Sequence, residues 1–141
     1  MRVLAVDYGA RRVGLALSDP LEITVNPHSV IPNRGDPAPV LDAIARVIAE
    51  EGVDEVVVGL PVNMDGSHGP AAQAAQEFAE ALADRVAVPV HCYDERLTTA
   101  EAEEILIGRD VPRARRREMV DKVAAALILR SYLESPGRRR G

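Results

Sequence analysis

The chain has 141 residues, enough for one hydrophobic core and too few for two ordinary domains, so one domain over residues 1–134 and a mobile basic tail over 135–141 are expected. Apolar residues make up 47% and recur in periodic blocks, which excludes a disordered chain; no apolar run approaches the roughly 20 residues of a membrane span, and no secretory leader pattern opens it, so a cytoplasmic protein without a membrane partner is expected. The net charge of −5 hides a basic end, because Arg109–Gly141 carries ten basic side chains against four acids. Such a patch can bind a polyanion through local counterion release, although a solvated helix with a frayed tail has the same composition.

In chain order, strand patterns come first: Val3 to Asp7, Val13 to Ser18 and roughly Ile23 to Ile31, joined by short turns at Gly9 and Asp19-Pro20 that make them antiparallel neighbours. Asp36 followed by Pro37 suits a helix N-terminus, and Val40, Leu41, Ile44, Val47 and Ile48 lie on one stripe before the stop at Gly52. The continuous run Glu55–Leu60 reads as a parallel strand covered on both faces. A turn-rich loop from Asn63 to Pro70 leads into a helix from about Ala71 to Arg85, with Ser67 as a candidate cap. Pro89 to Tyr93 is the last strand, and its Cys92 is expected to be buried packing, since one cysteine can form neither an internal disulfide nor a cysteine zinc site. Thr98 or Thr99 can cap a short helix through Leu106, and the final helix runs from about Arg113 to Leu133. The result is an α/β chain: a mixed five-stranded sheet, three antiparallel strands first, helices on both faces, in the element order of the ribonuclease H-like fold.

Three acids sit where such elements end or cross. Asp7 closes the first strand, Glu95 follows the last, and Asp121 lies in the final helix on the face of Ala124, Ala125 and Ile128. Phosphodiester hydrolysis needs a hydroxide-like nucleophile and charge stabilisation on attacking and leaving oxygens, and two divalent ions about 4 Å apart supply both. Magnesium takes a few carboxylates plus waters and phosphate oxygens, so three converging acids suffice. Each acid also has an ordinary reading: Asp7 as a turn residue, Glu95 as a partner of Arg96, Asp121 as a partner of Arg117 or Lys122. Gly9 and Gly14 allow close backbone approach, with Arg11 and Arg12 able to steer a phosphate, although a tight hairpin turn explains the glycines as well. The histidines His28, His68 and His91 have no evident ligand role.

Over nearly its whole length the sequence resembles the YqgF/RuvX family of ribonuclease H-like nucleases. The resemblance rests on Val6-Asp7-Tyr8-Gly9 with Arg12-Val13-Gly14-Leu15-Ala16 and Ser18-Asp19, on Val58-Gly59-Leu60-Pro61 with Asp65-Gly66-Ser67, on Asp94-Glu95-Arg96-Leu97-Thr98-Thr99, and on Asp121-Lys122-Val123-Ala124-Ala125 with Ile128-Leu129. It implies that Asp7, Glu95 and Asp121 are catalytic and bind Mg2+ or Mn2+. It also implies hydrolysis of phosphodiester bonds in structured nucleic acid, either the 5′ end of the pre-16S ribosomal RNA or Holliday junctions. Arg96, Thr98, Asn63 and Ser67 fall in the matching segments and, with Arg11, Arg12, Arg113, Arg116 and Arg117, are the expected substrate-binding residues. Symmetric cutting of a four-way junction favours a homodimer. Two other readings compete: a nucleic-acid binding factor without catalysis, and a nucleotide phosphotransferase related to sugar kinases and actin-like ATPases, which normally pair two such domains.

Overall fold

A computed structural model describes residues 1–98, 107–108 and 110–135, without the side chains of Arg113 and residues 116–122. Its strands β1 (Val3–Tyr8), β2 (Arg12–Ser18), β3 (Val25–Pro32), β4 (Glu55–Leu60) and β5 (Val90–Asp94) form one sheet in the order β3-β2-β1-β4-β5. The hairpin-linked β1, β2 and β3 are antiparallel, whereas β4 and β5 continue from β1 in parallel because a helix precedes each. Helices α1 (Pro37–Glu51), α2 (Pro70–Arg85) and α3 (Arg113–Leu133) complete the expected architecture.

Strand alternation divides the core in two. Leu4 and Val6 of β1, with Val13, Leu15, Val56 and Val58, meet Val40 and Ile44 of α1 and Phe78 and Leu82 of α2. Val3 and Ala5, with Ala16 and Val57, meet Ala125, Ala126, Ile128, Leu129 and Leu133 of α3 on the other face. Truncating a fully buried leucine such as Leu4 or Leu129 to alanine costs about 2–5 kcal/mol. Helix α1 starts as its sequence dictates: the Asp36 carboxylate accepts the Ala38 N–H at 3.1 Å, Pro37 follows, and Gly52 ends the helix in the left-handed conformation at φ 63°. Among the described residues no helix is long and apolar enough to cross a membrane.

Three expectations need correction. Strand β3 begins at Val25 and not at Ile23, because the Asp19 carboxylate takes the Ile23 and Thr24 N–H groups at 2.7 and 2.6 Å and holds them in a turn. Cys92 is exposed, since β5 is an edge strand; partial shielding of its thiol and then the Glu80 charge hold the thiol pKa above the usual value. Ser67 does not cap α2, whose N-cap is Gly69 without a side-chain bond. Residues Glu95–Leu97 form a short 3-10 turn closed by Thr98 N–H to the Glu95 carbonyl at 3.1 Å, and the helix expected from there through Leu106 lies outside the described residues.

Candidate functional site

Register brings the strand-end acids together. On β1, Val3, Ala5 and Asp7 alternate toward α3, and the parallel pairing of Val6 with Val58 sets Gly59 beside Asp7. On the next strand Gly59 pairs with Tyr93 and Leu60 with Asp94, so the carboxyl ends of β1, β4 and β5 reach one edge of the sheet, where ligands of parallel α/β sheets bind. Glu95 opens the turn after β5 and folds back over Gly59. A Cβ at position 59 would stand 2.9 Å from Glu95 Oε1, 3.2 Å from Glu95 Cγ and 2.5 Å from Ile128 Cδ1. Any side chain at 59 would have to displace the ends of Glu95 and Ile128, so the glycine gives Glu95 its room beside Asp7. Sequence reading gave Gly59 no role, although a glycine interrupting a β-branched strand signals a close approach.

The Glu95 carboxyl hydrogen-bonds Asp7, and its pKa is pushed up to about 7. Burial is the largest cause, followed by the charge of Asp7, the hydrogen bond to Asp7 and the charge of Asp94. The cation nearest in sequence does not relieve this pair. Arg96 turns to Asp94, with Nη2 2.7 Å and Nε 3.0 Å from Oδ2, while its backbone N–H donates to Asp94 Oδ1 at 2.9 Å. Those bonds hold the Asp94 pKa below the usual carboxylate range. Arg96 Nη1 also reaches the Met64 carbonyl at 3.4 Å.

Helix α3 crosses the same edge. A Cβ on Gly14 would lie 3.8 Å from Ala125 Cβ and 3.9 Å from Asp7 Cβ, so Ala125 sits over the end of β1. Asp121 is four residues earlier on α3, beyond a break in helical geometry at Val123 (φ −116°, ψ 17°); its side chain lies outside the described residues. Among the described residues no three acidic, histidine or cysteine side chains form a group fit for a metal. Asp7 and Glu95 alone fit part of a divalent site: two hard oxygen donors are pressed together against their own repulsion, which a cation between them would relieve.

On the β2 side of Asp7 a cleft of about 760 Å³ opens between β3 and α3. Asp7, Arg11, Arg12 and Gly14 line one part of it, and Pro27–Val30 and Ala124–Ala126 line the flanks. Both arginines are exposed. The loop after β4 is closed on itself: Asn63 Nδ2 donates to Ser67 Oγ at 3.0 Å, and Ser67 Oγ donates to Asp65 Oδ1 at 2.6 Å. Of the expected residues, Asp7, Glu95, Arg11 and Arg12 thus gather at one edge, and Arg96 ties the Asn63–Ser67 loop beside them. The side chains of Arg113, Arg116 and Arg117 lie outside the described residues.

Known proteins match the chain over nearly its whole length. Residues 1–135 match the family model described as RuvX, Holliday junction resolvase. A protein of Pelotomaculum thermopropionicum, which carries the provisional name of pre-16S rRNA nuclease, is 47% identical over 140 residues, covering 99% of this chain and 91% of its own. One of Halothermothrix orenii with the same name is 43% identical over 141 residues, covering 100% of each. The fold is that of Thermus thermophilus RuvC, solved with a Holliday junction substrate, at a TM-score of 0.56 and 16% identity over 94% of both chains. With its family model spanning almost the whole sequence and close relatives matching end to end, the chain belongs to the RuvX family of Holliday junction resolvases.

Proposed function

We propose that this protein is a divalent-metal-dependent nuclease that hydrolyses phosphodiester bonds in structured nucleic acid, with Asp7, Glu95 and Asp121 as its metal-binding and catalytic acids. The observation that carries the reading is the Asp7–Glu95 pair: two carboxyls share a hydrogen bond at the carboxyl edge of a parallel sheet. Mg2+ or Mn2+ held there would supply Lewis-acid charge to a phosphate oxygen and lower the pKa of water at neutral pH. The reaction adds water across one P–O bond, leaving a phosphate monoester on one fragment and a hydroxyl on the other.

The chain's own residues have definable parts in this. Arg11 and Arg12, exposed in the cleft beside Asp7, bind and orient the substrate phosphates. Gly14 and the small side chains Ala124–Ala126 let a nucleic-acid backbone approach the acids. Glu95 must lose its proton to become a ligand, so activity rises with pH through about 7 and falls below it. Arg96 holds the Glu95 turn through Asp94 and shares in substrate contact only at its rim.

The names of the relatives nominate the pre-16S RNA, and the family nominates the four-way junction. The test is cleavage of a labelled four-way DNA junction and a labelled pre-16S RNA 5′ leader, side by side, with Mg2+ or Mn2+ and with an Asp7→Asn control. Metal-dependent cutting lost in the variant is the expected result and identifies the preferred substrate. Equal cutting by the variant would sink the assignment, and binding without cutting by either protein would favour a non-catalytic factor. Symmetric junction cutting would further require a dimer, which sedimentation of the complex would reveal.

A further inference from the structure

The turn that carries Glu95 and the helix that carries Asp121 are joined by a half-buried pair of hydroxyls. Ser131, on α3 and 6% exposed, places its Oγ 2.8 Å from Tyr93 Oη at the end of β5. The same Oγ donates to the Leu97 carbonyl at 2.9 Å, at the last residue of the Glu95–Leu97 turn. Ser131 has one proton to give, so with Leu97 as its acceptor Tyr93 Oη is the donor to Ser131, and the chain of bonds has one direction. Tyr93 is fixed further by an edge-on contact with Tyr132, ring centroids 5.7 Å apart, and Tyr132 Oη donates to the buried Glu55 at 2.5 Å.

This arrangement exceeds what packing alone needs. Leu97 is 57% exposed, and the described tie from the far end of the turn to α3 runs through its carbonyl. At the near end Asp94 accepts the Arg96 N–H and thereby caps the turn. Glu95 thus lies between two fixed ends, one on β5 and one on α3, and its carboxyl is set over Gly59 by both.

Taking the metal-dependent reading above as its basis, we infer that Ser131 and Tyr93 are positioning residues: their hydroxyl relay locks the Glu95 turn onto α3 and so holds the Glu95 carboxyl over Gly59, where it can act as a ligand. Groups that hydrogen-bond a ligand directly commonly change metal affinity by about 10–100-fold when lost, and Ser131 and Tyr93, which act through the turn backbone, belong at the low end of that range.

The test uses the full chain as Ser131→Ala, Ser131→Thr and Tyr93→Phe, beside wild type and Asp7→Asn. Amide exchange at Arg96 and Thr98 in the metal-free protein reports the anchoring, and Mn2+ affinity by electron paramagnetic resonance without nucleic acid reports the ligand geometry. Ser131→Ala should speed exchange at Thr98 and weaken Mn2+ binding, each by about tenfold, with Ser131→Thr recovering most of both. Tyr93→Phe should move both in the same direction by a smaller factor, and it decides the matter alone if Ser131→Ala does not fold. Folded Ser131→Ala and Tyr93→Phe with exchange and Mn2+ affinity within about twofold of wild type overturn the inference while leaving the metal reading intact. Wild type that binds no Mn2+ overturns the metal reading and the ligand-positioning role with it.

Discussion

Asp19 and Glu95 each follow a strand, yet the fold surrounds them with opposite chemistry. The Asp19 carboxylate, just after β2, accepts N–H bonds from Leu21, Ile23 and Thr24 at 3.1, 2.7 and 2.6 Å, and the Thr24 hydroxyl at 3.2 Å. Those donors, the Thr24 N–H foremost, hold its pKa below the ordinary value, and the acid serves the turn it sits in. Glu95, just after β5, is half-buried against a second carboxyl, and its pKa rises to about 7. An acid that builds local structure is given donors. One pressed against another acid destabilises the fold unless something outside the chain neutralises it.

Substitutions can break or sharpen this contrast. The largest effect is expected for Asp7→Asn, which keeps the shape of β1 and removes a hard ligand: cleavage should fall by about a thousandfold or more, an effect typical of a group acting directly on the reacting centre. Glu95→Gln should abolish most activity and yet stabilise the protein. Between about 4.5 and about 7 the unfolded chain releases the Glu95 proton while the folded chain retains it, so wild-type stability declines as pH rises through that window. Above it the deficit is complete and is on the order of 2 kcal/mol once partial solvent access is allowed for. Thermal melts of both proteins at pH 5 and pH 8 should therefore diverge at the higher pH, and equal curves would mean that Glu95 is not held against Asp7.

Gly59→Ala intrudes on Glu95 and Ile128, whose contacting atoms are side-chain ends that can shift, so folding should survive while activity drops by about tenfold. A fully active Gly59→Ala enzyme would show that Glu95 need not cross Gly59. Arg12→Ala should weaken nucleic-acid binding and reduce its salt slope by about one, measured by binding across a salt series. Asp19→Asn completes the series: it should lower the melting temperature and leave turnover per folded molecule unchanged. A loss of turnover there would erase the distinction between the two acids.

The sequence made most of this fold legible, for reasons visible in particular segments. The all-apolar β4 is legible because a central parallel strand is covered twice, and α1 because Asp36-Pro37 and Gly52 bracket one apolar stripe. The start of β3 was not, since Ile23 and Thr24 look like strand residues until Asp19 removes their N–H groups from the ladder. Cys92 is exposed where its sequence predicts packing, because an apolar strand pattern does not say whether the strand lies at the edge. For the site, the acids stood out individually, but their meeting depends on strand register and on the absence of a side chain at Gly59. The sequence offers Glu95 as a partner of Arg96, whereas the structure pairs Arg96 with Asp94. The turn geometry decides it, because the Asp94 side chain caps the turn toward Arg96 N–H and leaves Glu95 facing Asp7.

The most direct measurement is calorimetric titration of the metal-free protein with Mn2+ at pH 7 in buffers of different ionisation enthalpy, for wild type and Asp7→Asn. With a Glu95 pKa of about 7, wild type should release about half a proton per ion bound, fewer at higher pH, and Asp7→Asn should bind far more weakly. Binding that releases no proton and is equally tight in Asp7→Asn would contradict the account, because the ion would then sit somewhere other than between these two acids.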